Sequence, residues 1–219
     1  MKFSSVKQWV LVWDLPVRIF HWLLVTSFTG AWLTSESETQ QMLHYAFGYS
    51  AGGLVLFRIV WGLIGTRYAR FTQFIKGPTE TFHHIKSLVT GTNSNRTAVN
   101  LGHNPAGALA MMALMLLVLL IGLTGYWIVK EFYGDVMSEA HEVLASIALG
   151  LVLIHVAAAV IMSFIEKQNL VKSMVTGKKL GMASQANRYP MNLIGIVLAL
   201  SWIYFMFLIA SGALPALTQ

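Results

Sequence analysis

The chain has no cysteine, so a metal centre here has to be built from its seven histidines, His21, His44, His83, His84, His103, His141 and His155, or from methionine and carboxylate. Disulfides, cysteine-ligated zinc, iron–sulfur clusters and covalent c-type haem attachment are excluded on that ground. Four of the histidines, His21, His44, His141 and His155, fall inside long apolar stretches, where an ionisable side chain is costly and marks a functional position. His141 and His155 are 14 residues apart. On a helix this is about 21 Å of rise and within about 40° of four full turns, so both lie on one face. That separation keeps them from sharing one zinc ion, which needs three or four ligands in a small sphere. Two imidazoles from facing helices at one depth instead suit the axial positions of a b-type haem iron.

The elements that must hold these side chains are membrane helices. Of 219 residues, 56% are hydrophobic and only 11% charged, and the mean hydropathy is +0.62. A soluble domain carries about 25% charged residues, and disordered chains are polar. Five stretches are long enough to cross a bilayer: Pro16 to Thr34, Met42 to Gly65, Pro105 to about Val129, Glu139 to Ile165 and Met191 to Gly212. Runs such as MMALMLLVLLIGL do not alternate, which excludes β-barrel strands. Lys2 and Lys7 resemble the start of a signal peptide, but Arg18 and His21 interrupt the apolar run that would follow. The expected fold class is all-α, an integral membrane helical bundle.

Lysine and arginine set its orientation. Thirteen of the fifteen lie in the N-terminal segment, the 66–104 connection and the 166–190 connection. Only Lys130 lies in the alternate connections, and Arg58 sits inside the second span. This predicts a multi-pass protein of the bacterial inner membrane with a cytoplasmic N-terminus and a periplasmic C-terminus. The net charge of +6 is then an inner-leaflet charge and implies no nucleic acid. The 66–104 connection, with RYARFTQFIKGP and FHHIKSLV, is expected to lie along the inner surface as a short amphipathic helix. With this topology His44 pairs by depth with His141 on the outer side, and His21 with His155 on the inner side. Two haems so held have irons roughly 20 Å apart.

Small residues accompany the ligand candidates. Ala145 and Ala148 lie on the stripe from His141 to His155, and Gly48 and Gly52 follow His44 at intervals of four. They suit a flat porphyrin, and equally the close helix contacts that membrane bundles make through small residues. Arg18, Arg67 and Arg70 near the inner haem and Lys130 near the outer one are candidates for the propionates. Arg58 is expected to snorkel to the interface, with pairing to a propionate of the inner haem as the alternative. His83 and His84 are read as interfacial. His103 is a candidate quinone contact, with an interfacial role as the alternative. Met111, Met112 and Met115 are read as ordinary apolar residues.

The run WDLPVRIFHW at 13–22 resembles the opening of the prokaryotic cytochrome b561 family, which includes the b-type cytochrome subunits of nickel–iron hydrogenases. So do FRIVWGLIGTRYARF at 57–71, GHNPAGA at 102–108, HEVLASIALGLVLIHV at 141–156 and NLVKSMVTGKK at 169–179. The resemblance covers nearly the whole chain to about residue 180. It implies four core transmembrane helices and two non-covalent haems b. It implies ligands from the first, second and fourth helices, at His21, His44, His141 and His155. It also implies electron exchange with the quinone pool. A domain at 1–180 and an additional helix at 181–219, serving packing, assembly or partner docking, follow from that coverage.

The function expected is a dihaem electron-transfer component passing electrons across the membrane between quinone and a periplasmic redox partner, either a cytochrome c or a hydrogenase-like enzyme. Bis-histidine ligation leaves no open iron position for oxygen. The alternative is a self-contained superoxide–quinone or ferric reductase at the periplasmic haem. A transporter or scaffold without haem is a third reading, and it predicts a colourless protein. Homo-oligomerisation stays open.

Overall fold

The computed structural model describes residues 7–73, 101–102 and 105–213. Lys2, Lys76, His83, His84, Lys86, Arg96 and the candidate quinone contact His103 lie outside the described residues, as does the surface helix expected beyond residue 73.

Five long helices occupy the five apolar stretches: α1 Leu15–Thr34, α2 Gln41–Ile64, α3 Pro105–Val129, α4 Gly134–Ile165 and, after a short α5 at Leu170–Thr176, α6 Asn192–Ala210. Four are long and apolar enough to cross a membrane, within Glu38–Ile64, Ala106–Val129, Gly134–Ile165 and Asn192–Ala210. The first helix falls outside that set, since Arg18 and His21 lower its hydropathy, and it lies against α2 and α6. α4 begins at Gly134, five residues before the apolar stretch. Its 32 residues span about 48 Å, well beyond the roughly 30 Å hydrocarbon layer. The reversal before it uses left-handed backbone at Glu131, Tyr133 and Gly134.

Neighbouring helices pack in sequence order. α1 lies on α2, α2 on α3 and α3 on α4, while α6 returns to α1 and α2. Trp202 Nε1 of α6 donates to Ser27 Oγ of α1 at 3.0 Å. Among the described residues neither α1 nor α2 packs closely with α4.

One feature of the end of the bundle where α1 begins was not expected from the sequence. A two-stranded antiparallel ribbon joins β1 Gln8–Leu11 to β2 Lys178–Gly181, with Gln8 opposite Gly181 and Leu11 opposite Lys178. The amides of Val12 and Trp13 then both donate to Gly177 O, at 2.8 and 3.0 Å. Gly177 closes α5 at φ 76°, and a Cβ there would lie 2.6 Å from Trp13 O, so only glycine fits. Val10, Val12, Trp13, Val17, Trp61, Ala69 and Leu101 form one buried cluster over this end. The described parts of the three cation-rich segments thus converge on a single cap. Lys179 is buried in it, its Nζ 5.7 Å from the centre of the Trp13 ring. Burial pushes Lys179 below the usual lysine range, and Glu166 opposes the shift.

At the centre of the cap is Asp14, 1% exposed. Its Oδ1 caps α1 by accepting from Val17 N at 2.9 Å. Its Oδ2 accepts from Trp61 Nε1 at 3.1 Å and Thr66 Oγ1 at 2.6 Å. Asn187 Nδ2 donates in turn to Thr66 Oγ1 at 2.8 Å, and Asn187 N donates to Leu11 O at 2.7 Å. Arg58, expected at the interface, is instead 1% exposed, within electrostatic reach of Asp14 and 5.0 Å from the Phe71 ring centre. It is held inside the bundle on the side of this carboxylate instead of reaching the interface.

Asp14→Ala removes a helix cap and strands two buried donors. It is expected to cost about 3–5 kcal/mol, read as a lower midpoint of thermal unfolding by circular dichroism in detergent. Glu38→Ala, at an exposed position, should stay within about 0.5 kcal/mol.

Candidate functional site

Two of the four membrane histidines meet ring to ring. His44, in the first turn of α2, and His141, in the third turn of α4, have ring centroids 6.2 Å apart and planes inclined by 65°. A metal–nitrogen bond of about 2 Å on each side, with about 1 Å from nitrogen to ring centre, sets two opposed axial imidazoles roughly 6 Å apart. Their tautomers follow from their partners. His44 Nδ1 lies 2.9 Å from Ala31 O of α1. A carbonyl only accepts, so Nδ1 carries the proton and Nε2 the lone pair. His141 Nδ1 lies 3.0 Å from Thr124 Oγ1 of α3. That hydroxyl spends its single proton on Leu120 O or Ile121 O, each 3.0 Å away, and so accepts from His141 Nδ1–H. Both rings therefore keep an unprotonated Nε2, the form a metal requires.

Close helix contacts permit this. A Cβ on Gly125 of α3 would sit 3.2 Å from His141 Cε1. A Cβ on Gly30 of α1 would sit 2.5 Å from the Phe47 ring of α2, beside the Ala31–His44 bond. Ala31, Thr124 and Gly125 escaped the sequence reading. The Thr124–Gly125 break in an otherwise apolar helix was a visible signal, whereas a backbone carbonyl has none.

His21 and His155 are brought within electrostatic reach of one another. His21 Nδ1 is buried without a hydrogen-bond partner, and the ring stands edge-on to Trp22 with centroids 5.1 Å apart. Trp22 Nε1 donates to Met174 O at 3.2 Å and Arg18 Nη1 to Val175 O at 2.7 Å, fixing this turn of α1 against α5.

A family model for prokaryotic cytochrome b561 matches residues 12–177. The chain belongs to the prokaryotic cytochrome b561 family. A probable Ni/Fe-hydrogenase B-type cytochrome subunit of Rhizobium leguminosarum bv. viciae is 24% identical over 217 residues, covering 80% of this chain and 90% of the relative. One of Azotobacter vinelandii is 22% identical over 211 residues, covering 77% and 87%. A probable Ni/Fe-hydrogenase 1 B-type cytochrome subunit of Escherichia coli (strain K12) is 25% identical over 143 residues, covering 55% and 60%. No solved structure matches the chain. The protein is thus a multi-pass membrane b-type cytochrome, with haem b as its cofactor.

The residues of this cytochrome b561 chain suit that group. Among the described residues no cluster of three or more histidine, cysteine or carboxylate side chains is placed to hold a bare metal ion, whereas paired imidazoles are what a haem iron takes. A Cβ built on Gly48 or Gly52 meets nothing within 4 Å, so this face of α2 admits a flat ring. Ala148 has no exposed surface and Ala145 is half-buried, so the small side chain of Ala148 is already enclosed by protein. Of the propionate candidates, Arg18 is tied to Val175 O with its Nε buried and unpartnered. Arg67 and Arg70 are exposed beyond α2, and Lys130 is half-buried just after α3.

Thr124→Val keeps the shape of the site and removes the acceptor for His141 Nδ1–H. Haem transfer from the purified variant to apomyoglobin should show haem held about 10- to 100-fold more weakly at this pair.

Proposed function

We propose that this protein is a dihaem cytochrome that carries electrons between a periplasmic redox partner and the quinone pool of the bacterial inner membrane. His44 with His141 forms the outer axial pair, and His21 with His155 the inner pair. The observation that carries this reading is the 6.2 Å approach of two imidazoles whose Nδ1 atoms are both committed as donors. Haem iron in each pair would supply one-electron redox chemistry. The protein's own part is to hold the rings, exclude water and set the surrounding charge.

The cation-rich cap is assigned to the cytoplasm by the positive-inside rule, which places the C-terminus outside. Charge then differs between the two ends. Glu36, Glu38, Glu131, Asp135, Glu139 and Glu142 are all exposed at the outer end, while Arg18 and Arg58 lie at the inner one. Cations favour the reduced iron and carboxylates the oxidised, so this arrangement drives electrons inward. The relatives are named as hydrogenase subunits, and we carry over to this chain a hydrogenase-like enzyme as the outer partner, with a cytochrome c as the alternative. Quinone reduction at the inner side consumes two electrons and two protons, the latter drawn through the cap.

The test is haem stoichiometry by pyridine haemochrome assay. Wild type should hold two haems per chain. His44→Ala and His141→Ala should each leave one, with the same surviving spectrum. His21→Ala and His155→Ala should each leave the other. Two haems retained in any of these variants would refute the pairing.

A further inference from the structure

Arg58 is the most unusual charge in the molecule. It is 1% exposed, on the face of α2 turned away from the exposed Leu56, Val60 and Leu63. Its Nη1 is buried with no hydrogen-bond partner, and its Nη2 reaches only Met111 Sδ at 3.9 Å. Asp14 is the acid within reach, but both its oxygens already accept from Val17, Trp61 and Thr66, and Arg18 draws on the same charge. α3 and α6 carry no charged residue, and Arg67 and Arg70 add further cations nearby. One buried carboxylate thus faces two guanidinium groups, each with a buried donor that has no partner. A buried cation short of a counter-charge is strongly disfavoured.

Its depth is fixed by register. His141 lies against Gly125. Fourteen residues toward the cap from Gly125 on α3 is Met111, and fourteen from His141 on the antiparallel α4 is His155. Met111 and His155 therefore share a level, about 21 Å inside the outer pair, and Arg58 touches Met111. We infer that Arg58 is an oxyanion receptor of the inner site, its idle Nη1 awaiting a carboxylate or phosphate oxygen at the level of His155. The reading rests on the ligand assignment above. Two sources supply such an oxygen: a propionate of the inner haem, which the bundle-facing side of Arg58 favours, or the phosphodiester of an anionic lipid.

Spectroelectrochemical titration of the holoprotein in nanodiscs distinguishes them, using wild type, Arg58→Lys and Arg58→Gln from mildly acidic to mildly basic pH. Arg58→Gln should lower one of the two haem potentials and leave the other in place. If the partner is a propionate, that potential should also become pH-dependent, because the unpaired carboxylate takes up one proton from water as the iron gains one electron. Wild type should stay flat, and Arg58→Lys should show a smaller slope than Arg58→Gln. If the partner is a lipid phosphate, no slope appears, and the shift vanishes when anionic lipid is replaced by zwitterionic. A shift with neither slope nor lipid dependence, or no shift at all, overturns the inference. Should Arg58→Gln lose a haem, Arg58→Lys decides: its single ammonium should bring a partial slope or lipid dependence, and a profile identical to wild type overturns the proposal. Retention of both haems in His155→Ala would instead strike the ligand assignment, and so separates the two failures.

Discussion

The carboxylate of Asp14 sets the register on which the rest of the bundle is built. It caps α1 and grips Trp61 and Thr66 at the end of α2. Seventeen residues further along α1 is Ala31, and seventeen back along α2 from Trp61 is His44, and these two are hydrogen-bonded. Two antiparallel helices are therefore pinned at both ends of a stretch of about 25 Å. The pin at Asp14 is made of buried polar groups whose partners are almost all satisfied, which is what makes it specific as well as strong.

Much of this was legible in the sequence. Apolar length gave the helices, and the asymmetry of lysine and arginine grouped three segments whose described parts lie at one end of the bundle. Depth alone paired His44 with His141, and the structure brings those rings together. Other features needed the fold. The ribbon between Gln8–Leu11 and Lys178–Gly181 reads as loop, because TGKK has neither strand length nor alternation. Arg58 reads as an interfacial residue, because its partner Asp14 lies 44 residues away, and only α1–α2 packing reveals it. The acceptor for His44 is a backbone carbonyl, which no residue type announces.

The two ends of the bundle solve different electrostatic problems. At the His44–His141 end the ring hydrogen bonds go to uncharged oxygens, so orientation is set without a buried counter-charge. The nearest charges, Glu142 among them, are solvent-exposed. At the other end Asp14, Arg18 and Arg58 are drawn together under an apolar lid of Trp13, Val17 and Trp61. Fixed charge under such a lid acts at longer range than charge in water.

How α4 comes to place His141 opposite His44 then follows from a relay. α4 does not pack closely on α1 or α2, so its depth is inherited. Asp14 and Ala31 fix α1 against α2. Ala51 and Val55 of α2 interlock with Met115 and Val118 of α3, fixing the second register. Thr124 and Gly125 of α3 then fix His141. Each step rests on small or polar groups that fit in one position only. A slip of one helical turn, about 5.4 Å, at any step would carry the rings out of reach. The third helix offers no charged side chain, yet it is the element that aligns the other two.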